Sequence, residues 1–296
     1  MDMLRTLNTV DNSVISYRLR RSTVHTGNPP LMMIHGAASN MTRWSEFVEQ
    51  TTLASSHDIL GLDLRGHGES LYRGPIGLEI WCDDIAGILH QEAYSRAILA
   101  GHCLGANVAM TFAARYPQQT AGMVLIEPML RPALSGRLRR LLPLVAPLKI
   151  LCALVRLINR IGIYRRHLAP LDLHALDREF RAHLTEPGGA EALARRYASP
   201  WDDLKSMPSA NFIQDMLEVI RPLPLEKISG VPFLAILSSG RTFVDPDITR
   251  ALLKPLPRAE IVTLDAQHWI PTEQPQAMRG MIEAWVNSQM EKRRMK

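Results

Sequence analysis

Cysteine is scarce in this chain, with Cys82, Cys103 and Cys152 alone among 296 residues. Three scattered thiols cannot build a disulfide framework or a zinc site, and no metal or organic cofactor is expected. Charge of one sign is not in large excess: 34 basic against 29 acidic residues leave +5. Without a concentrated basic stripe, that balance argues against a nucleic-acid partner. No run reaches the roughly 20 apolar residues of a membrane span. The opening MDMLRTLNTVDNS lacks the apolar stretch of a secretory leader, so the expected address is a reducing cytoplasm. Repeats and low-complexity tracts are also missing. With 46% hydrophobic and 21% charged residues, the composition is that of an ordinary globular chain rather than a disordered or collagen-like one.

What is there is a rhythm. Short apolar runs, SVISYRL, LMMIHG, DILGLDL, AILAGHC, MVLIEP, PFLAILSS and EIVTLD, alternate with longer stretches of helical pattern. Nearly continuous apolarity over four or five residues suits strands buried on both faces, as in a parallel sheet covered by helices. The spacing therefore predicts an open α/β sheet. The interval 128–227 breaks the rhythm. It contains RLRRLLPLVAPLKILCALVRLINRIGIYRRHL, apolar and basic with interrupting prolines. It reads as a helical insertion, leaving 1–127 and 228–296 as the core.

The most specific signal is AILAGHCLGANVAM. A strand ends at Gly101, and His102, Cys103, Leu104 and Gly105 turn directly into a helix. This is the Gly-x-nucleophile-x-Gly pattern, with cysteine where serine usually stands. Glycines allow close backbone approach at the sharp turn, leaving the central side chain exposed above the sheet. The helix N-terminus brings free N–H groups and partial positive charge to the reacting atom.

Here the chain resembles the α/β-hydrolase family over nearly its whole length. His35-Gly36 is similar to that family's His-Gly turn, and Asp63 to Ser70, DLRGHGES, to its DxRGxGxS loop. AQHWIPTEQP resembles the stretch that carries the general base, here His268. The resemblance implies an α/β-hydrolase fold with a helical cap inserted after the sixth strand. It implies Cys103 as nucleophile, His268 as base, and an oxyanion hole of the Ala37 and Leu104 amides. His35, Gly36, His102 and Trp269 are candidates for the substrate pocket, and Trp44 could join them. His67 reads as structural. The acid is open: the usual position, near Phe243, is not acidic. Glu127, after the strand that follows the nucleophile helix, is preferred, with Asp245 as the alternative.

A thiol needs an imidazole to take its proton, and the imidazole needs a carboxylate to fix its tautomer. Such a set implies hydrolysis of ester or thioester bonds through an acyl-cysteine. An acyltransferase or lactone-forming cyclase would use the same groups. The His268-Trp269 pair also resembles members that hydrolyse carbon–carbon bonds. A ligand-binding protein with an inert thiol is the reading from another class. The apolar insertion reads as a lid over a small-molecule or carrier-bound acyl substrate, with peripheral membrane contact as its other use. The oligomeric state is not legible.

Overall fold

The computed structural model describes residues 2–24, 26–183, 186 and 188–294. Its centre is an eight-stranded sheet in the order β1-β2-β4-β3-β5-β6-β7-β8. The strands are β1 (Asp2–Asn8), β2 (Val14–Arg20), β3 (Leu31–Ile34), β4 (Ile59–Leu62), β5 (Ala97–His102), β6 (Thr120–Ile126), β7 (Phe233–Ser238) and β8 (Ala259–Leu264). β2 runs antiparallel to both β1 and β4, and the remaining pairings are parallel. β3 through β7 are buried along their whole length. That is why they read as unbroken apolar runs.

Helices cover both faces. On one side α2 (Leu78–Gln91) and α3 (Leu104–Arg115) enclose Trp81, Phe112 and their neighbours. On the other, α1 (Ser45–Gln50) and α12 (Pro275–Arg294) pack Phe47 and Trp285 against the sheet. α10 (Pro246–Leu253) links β7 to β8, and α11 (Ile270–Glu273) precedes α12. Between β6 and β7 the chain forms α4 (Gly136–Leu141), α5 (Val145–Arg160), α6 (Leu173–His183), α7 (Gly189–Tyr197), α8 (Pro200–Ser206) and α9 (Ser209–Val219).

Two expectations are corrected. The prolines of the insertion do not interrupt it: Pro143 lies in a 3-10 turn, Leu142–Leu144, joining α4 to α5, and Pro147 falls in the first turn of α5. Proline is tolerated there because no intrahelical N–H bond is lost. The resulting stretch Gly136–Arg160 is, by length and composition, apolar enough to cross a membrane. β1 had no counterpart among the apolar runs, because all its residues except Arg5 and Leu7 face solvent.

Candidate active site

The site residues come from different loops, all at the carboxyl ends of parallel strands, where open α/β sheets bind their ligands. Cys103 follows β5 directly and caps α3 at φ 54°, ψ −118°. A non-glycine residue at positive φ stores about 1–3 kcal/mol. The surroundings hold it there: Cys103 N–H donates to the Ile126 carbonyl at 2.9 Å. The flanking glycines are required by space. A Cβ on Gly101 would stand 2.2 Å from the backbone of Gly105, and one on Gly105 would stand 2.3 Å from the Ile34 carbonyl.

Glu127 follows β6 in a similarly strained conformation, φ 50°, held by its N–H to the Ile236 carbonyl at 2.9 Å. Its carboxylate is buried and fully engaged. Oε1 accepts the Ser238 N–H at 2.5 Å and Oε2 accepts the His268 Nδ1–H at 3.2 Å. His268, on the loop after β8, is 2% exposed. Burial opposes its positive charge, but the neighbouring Cys103 and the hydrogen-bonded Glu127 outweigh that and push its pKa up to about 9.

Asp245 takes no part. It caps α10, accepting the Asp247 and Ile248 N–H groups, and it pairs with Arg241. Phe243 occupies the place an acid after β7 would need, and its ring packs edge-on against His268 at 4.8 Å between centroids. The loop after β6 supplies the carboxylate instead.

The expected oxyanion amides lie beside the thiol. Ala37 lines the same cavity as Cys103, and Leu104 opens α3, where the first amides have no intrahelical acceptor. Neither amide donates to another protein group among the described residues. The next residue, Ala38, sits at φ 48°. It is anchored by its N–H to Asp215 Oδ2 at 3.1 Å, and the same oxygen accepts from His67 Nε2 at 2.7 Å. Asp215 belongs to α9, so the insertion fixes the turn beside the thiol. The pull of Asp215 overrides burial and raises the His67 pKa.

His35 does not reach the cavity. Its Nε2 accepts the Leu64 N–H at 3.0 Å, and its Nδ1–H therefore donates to the Gly36 carbonyl at 2.8 Å. Both nitrogens lock the turn, and burial keeps the ring neutral. Trp44 also lies in the core, against Phe47. Gly36, His102 and Trp269 do line the cavity. His102 donates from Nε2 to the His268 carbonyl at 3.0 Å. Burial and the neighbouring His268 hold it neutral.

The cavity measures about 380 Å³ and its walls are mainly apolar, with Leu138, Leu141 and Leu148 contributed by α4 and α5. Three polar features of it were not singled out in the sequence. Arg43 is buried beside Asp177, Tyr197 and Thr272. Asp203 is pushed up to about 7 by burial, and Ser39 Oγ has no hydrogen-bond partner among the described residues. Outside the cavity, Glu273 accepts the N–H groups of Gln267, His268 and Trp269 at 2.8, 3.1 and 2.8 Å. It fixes the loop that presents His268. These are contacts between distant segments or within irregular loops, which carry no periodic signal.

A sharp-turn thiol, a buried imidazole with a carboxylate behind it and two free amides can together form and resolve an acyl-enzyme. Residues 31–280 match the model of the alpha/beta hydrolase family. The chain belongs to that family. Among curated alpha/beta hydrolase relatives, it is 21% identical to an sn-1-specific diacylglycerol lipase of Mus musculus, over 87% of this chain and 81% of the relative. It is 22% identical to ethanol acetyltransferase 1 of Eremothecium cymbalariae, over 86% and 74% respectively. A solved thermophilic esterase from Thermogutta terrifontis superposes with a TM-score of 0.69 at 20% identity, covering 98% of this chain and 99% of the other. Hydrolase, esterase and acyltransferase chemistries thus all occur among relatives of this alpha/beta hydrolase.

Proposed function

We propose that this protein hydrolyses carboxylic ester or thioester bonds of an apolar acyl substrate through an acyl-Cys103 intermediate. The observation that carries this reading is Glu127 hydrogen-bonded to His268, with His268 and Cys103 lining one apolar cavity beside two amides that have no acceptor among the described residues. The thiol proton passes to His268, whose raised pKa holds it there, and sulfur attacks the carbonyl carbon. The developing oxyanion is received by the amides of Ala37 and Leu104, each such donor typically contributing about 3–4 kcal/mol. His268 then returns the proton to the departing alcohol or thiol. A water, activated by the same ring, cleaves the thioester and frees Cys103.

The acetyltransferase among the relatives, and the readiness with which a thioester passes its acyl group to an alcohol, support acyl transfer as the second reading. One set of assays separates the two. Release of p-nitrophenol and of free thiol is followed with p-nitrophenyl esters and acyl thioesters of increasing chain length, with and without added alcohol. Cys103→Ala is run alongside. Acid product from the intact protein alone supports hydrolysis, and ester product rising with alcohol supports transfer. Undiminished turnover by Cys103→Ala would overturn both.

A further inference from the structure

The outer surface of α5 is built the wrong way round for a helix facing water. Cys152 is buried against α9, its thiol on the Ala210 carbonyl, and Leu148 lines the cavity. The opposite face carries Ile150, Leu154, Leu157, Ile158 and Ile161, with exposures from 45% to 70%. Their spacing places them in one stripe along the helix. Ile163, also exposed, follows in the chain. A contiguous apolar surface of this kind marks a docking face.

The charge around it says what docks. Between Glu127 and Asp172 the chain has nine lysines or arginines and no acidic residue. A second copy offering the same face would bring like charges together. A surface of anionic headgroups would neutralise them, each Lys or Arg adding to the attraction.

We infer that the outer face of α5 seats on an anionic lipid bilayer, with the helix lying in the membrane plane. Its apolar stripe enters the headgroup–acyl boundary, and the flanking Arg139, Arg140, Lys149, Arg160 and Arg166 meet the headgroups. A spanning orientation is disfavoured, although Gly136–Arg160 is long and apolar enough. It would strip Cys152 and Arg156 from their partners on α9 and carry Lys149 and Arg156 into hydrocarbon. Because Leu138, Leu141 and Leu148 of the same stretch line the cavity, docking brings that cavity next to the bilayer. The docking does not depend on acyl-Cys103 chemistry. Supply of an acyl lipid to the thiol does rest on that reading.

The test is flotation of the full-length protein with phosphatidylcholine vesicles, with and without phosphatidylglycerol. The double variant Leu154→Glu/Ile158→Glu is compared with the wild type. The wild type floats with the anionic vesicles, less with the neutral ones, and less at high salt. Each substitution weakens partitioning by about tenfold or more, while thermal stability and hydrolysis of a water-soluble ester stay unchanged. Binding is read directly, so lost catalysis with retained flotation would defeat the proposed activity alone. Failure of the wild type to bind either vesicle overturns the docking. So does a concentration-dependent dimer that the same double variant dissolves, since a second copy then covers the face. Membrane association resistant to alkaline carbonate also overturns it, because the helix then spans.

Discussion

Replacing Glu127 by glutamine isolates the part of the site that decides the mechanism. The wild-type carboxylate accepts two hydrogen bonds, from Ser238 N–H at 2.5 Å and from His268 Nδ1–H at 3.2 Å. Glutamine has one acceptor and one donor group, and the backbone N–H of Ser238 claims the acceptor. The side-chain NH₂ is then left facing Nδ1. To avoid a clash of donors, the imidazole must accept there and carry its proton on Nε2, the nitrogen turned toward Cys103. In that tautomer it cannot take the thiol proton. Amidating the acid of a serine triad costs about 10⁴-fold in kcat through the same switch. A thiol is intrinsically more acidic than a hydroxyl, so the expected loss here is about a thousandfold in kcat/KM, ~4 kcal/mol of transition-state stabilisation. The shape of the side chain is kept, so the protein remains folded. The assay is p-nitrophenyl ester hydrolysis by Glu127→Gln, with Asp245→Asn as the companion. The companion should be within about twofold of wild type, since its carboxylate only caps α10 and pairs with Arg241. A Glu127→Gln enzyme within about threefold of wild type, or a large loss in Asp245→Asn, would refute the reasoning.

Three further outcomes follow from the same contacts. Glu273→Gln leaves one of three loop amides without its acceptor. It should lower stability by about 1 kcal/mol and kcat more than KM, as read by thermal melting and steady-state kinetics. Asp215→Asn removes the charge facing His67 and weakens the anchor of Ala38. Breaking this buried pair should cost about 3 kcal/mol and slow acylation, measured by chemical denaturation and by single-turnover kinetics. Finally, the His268 pKa, raised from 6.5 to about 9, contributes stability that is fully present below pH 6.5. That contribution is lost as pH rises through about 9. Denaturation midpoints of the wild type should therefore fall over that window, and those of Glu127→Gln should fall less.

The parallel core was legible because each of its strands is buried on both sides and so reads as an unbroken apolar run. β1 was not, because its mostly exposed side chains give no such run and only Leu7 packs on the core. The thiol turn could be read from its glycines, whose backbone contacts leave no room for a Cβ. Glu127 could be preferred in the sequence over Asp245 but not decided, since both loops leave neighbouring strands and only the fold brings one of them to Nδ1. Phe243 marked the gap in the sequence, and the structure adds that its ring rests on the imidazole. His35 is a pocket candidate in the sequence, although orienting its own turn is its stronger reading there. Two hydrogen bonds, to Leu64 and Gly36, decide for that orienting role. A continuous helix from Gly136 to Arg160 was not legible, because lysines and arginines interrupt the apolar run and proline usually ends a helix. Here both prolines sit in first turns.

The central claim is that Cys103 carries the acyl group. Intact-protein mass spectrometry after brief mixing with a p-nitrophenyl ester or an acyl thioester tests it most directly. The account predicts a mass increase of one acyl group, mapped to the peptide containing Cys103. The adduct should decay as product appears and should be absent from Cys103→Ala. Substrate consumed at the wild-type rate by Cys103→Ala, or an adduct mapped to another residue, would contradict it.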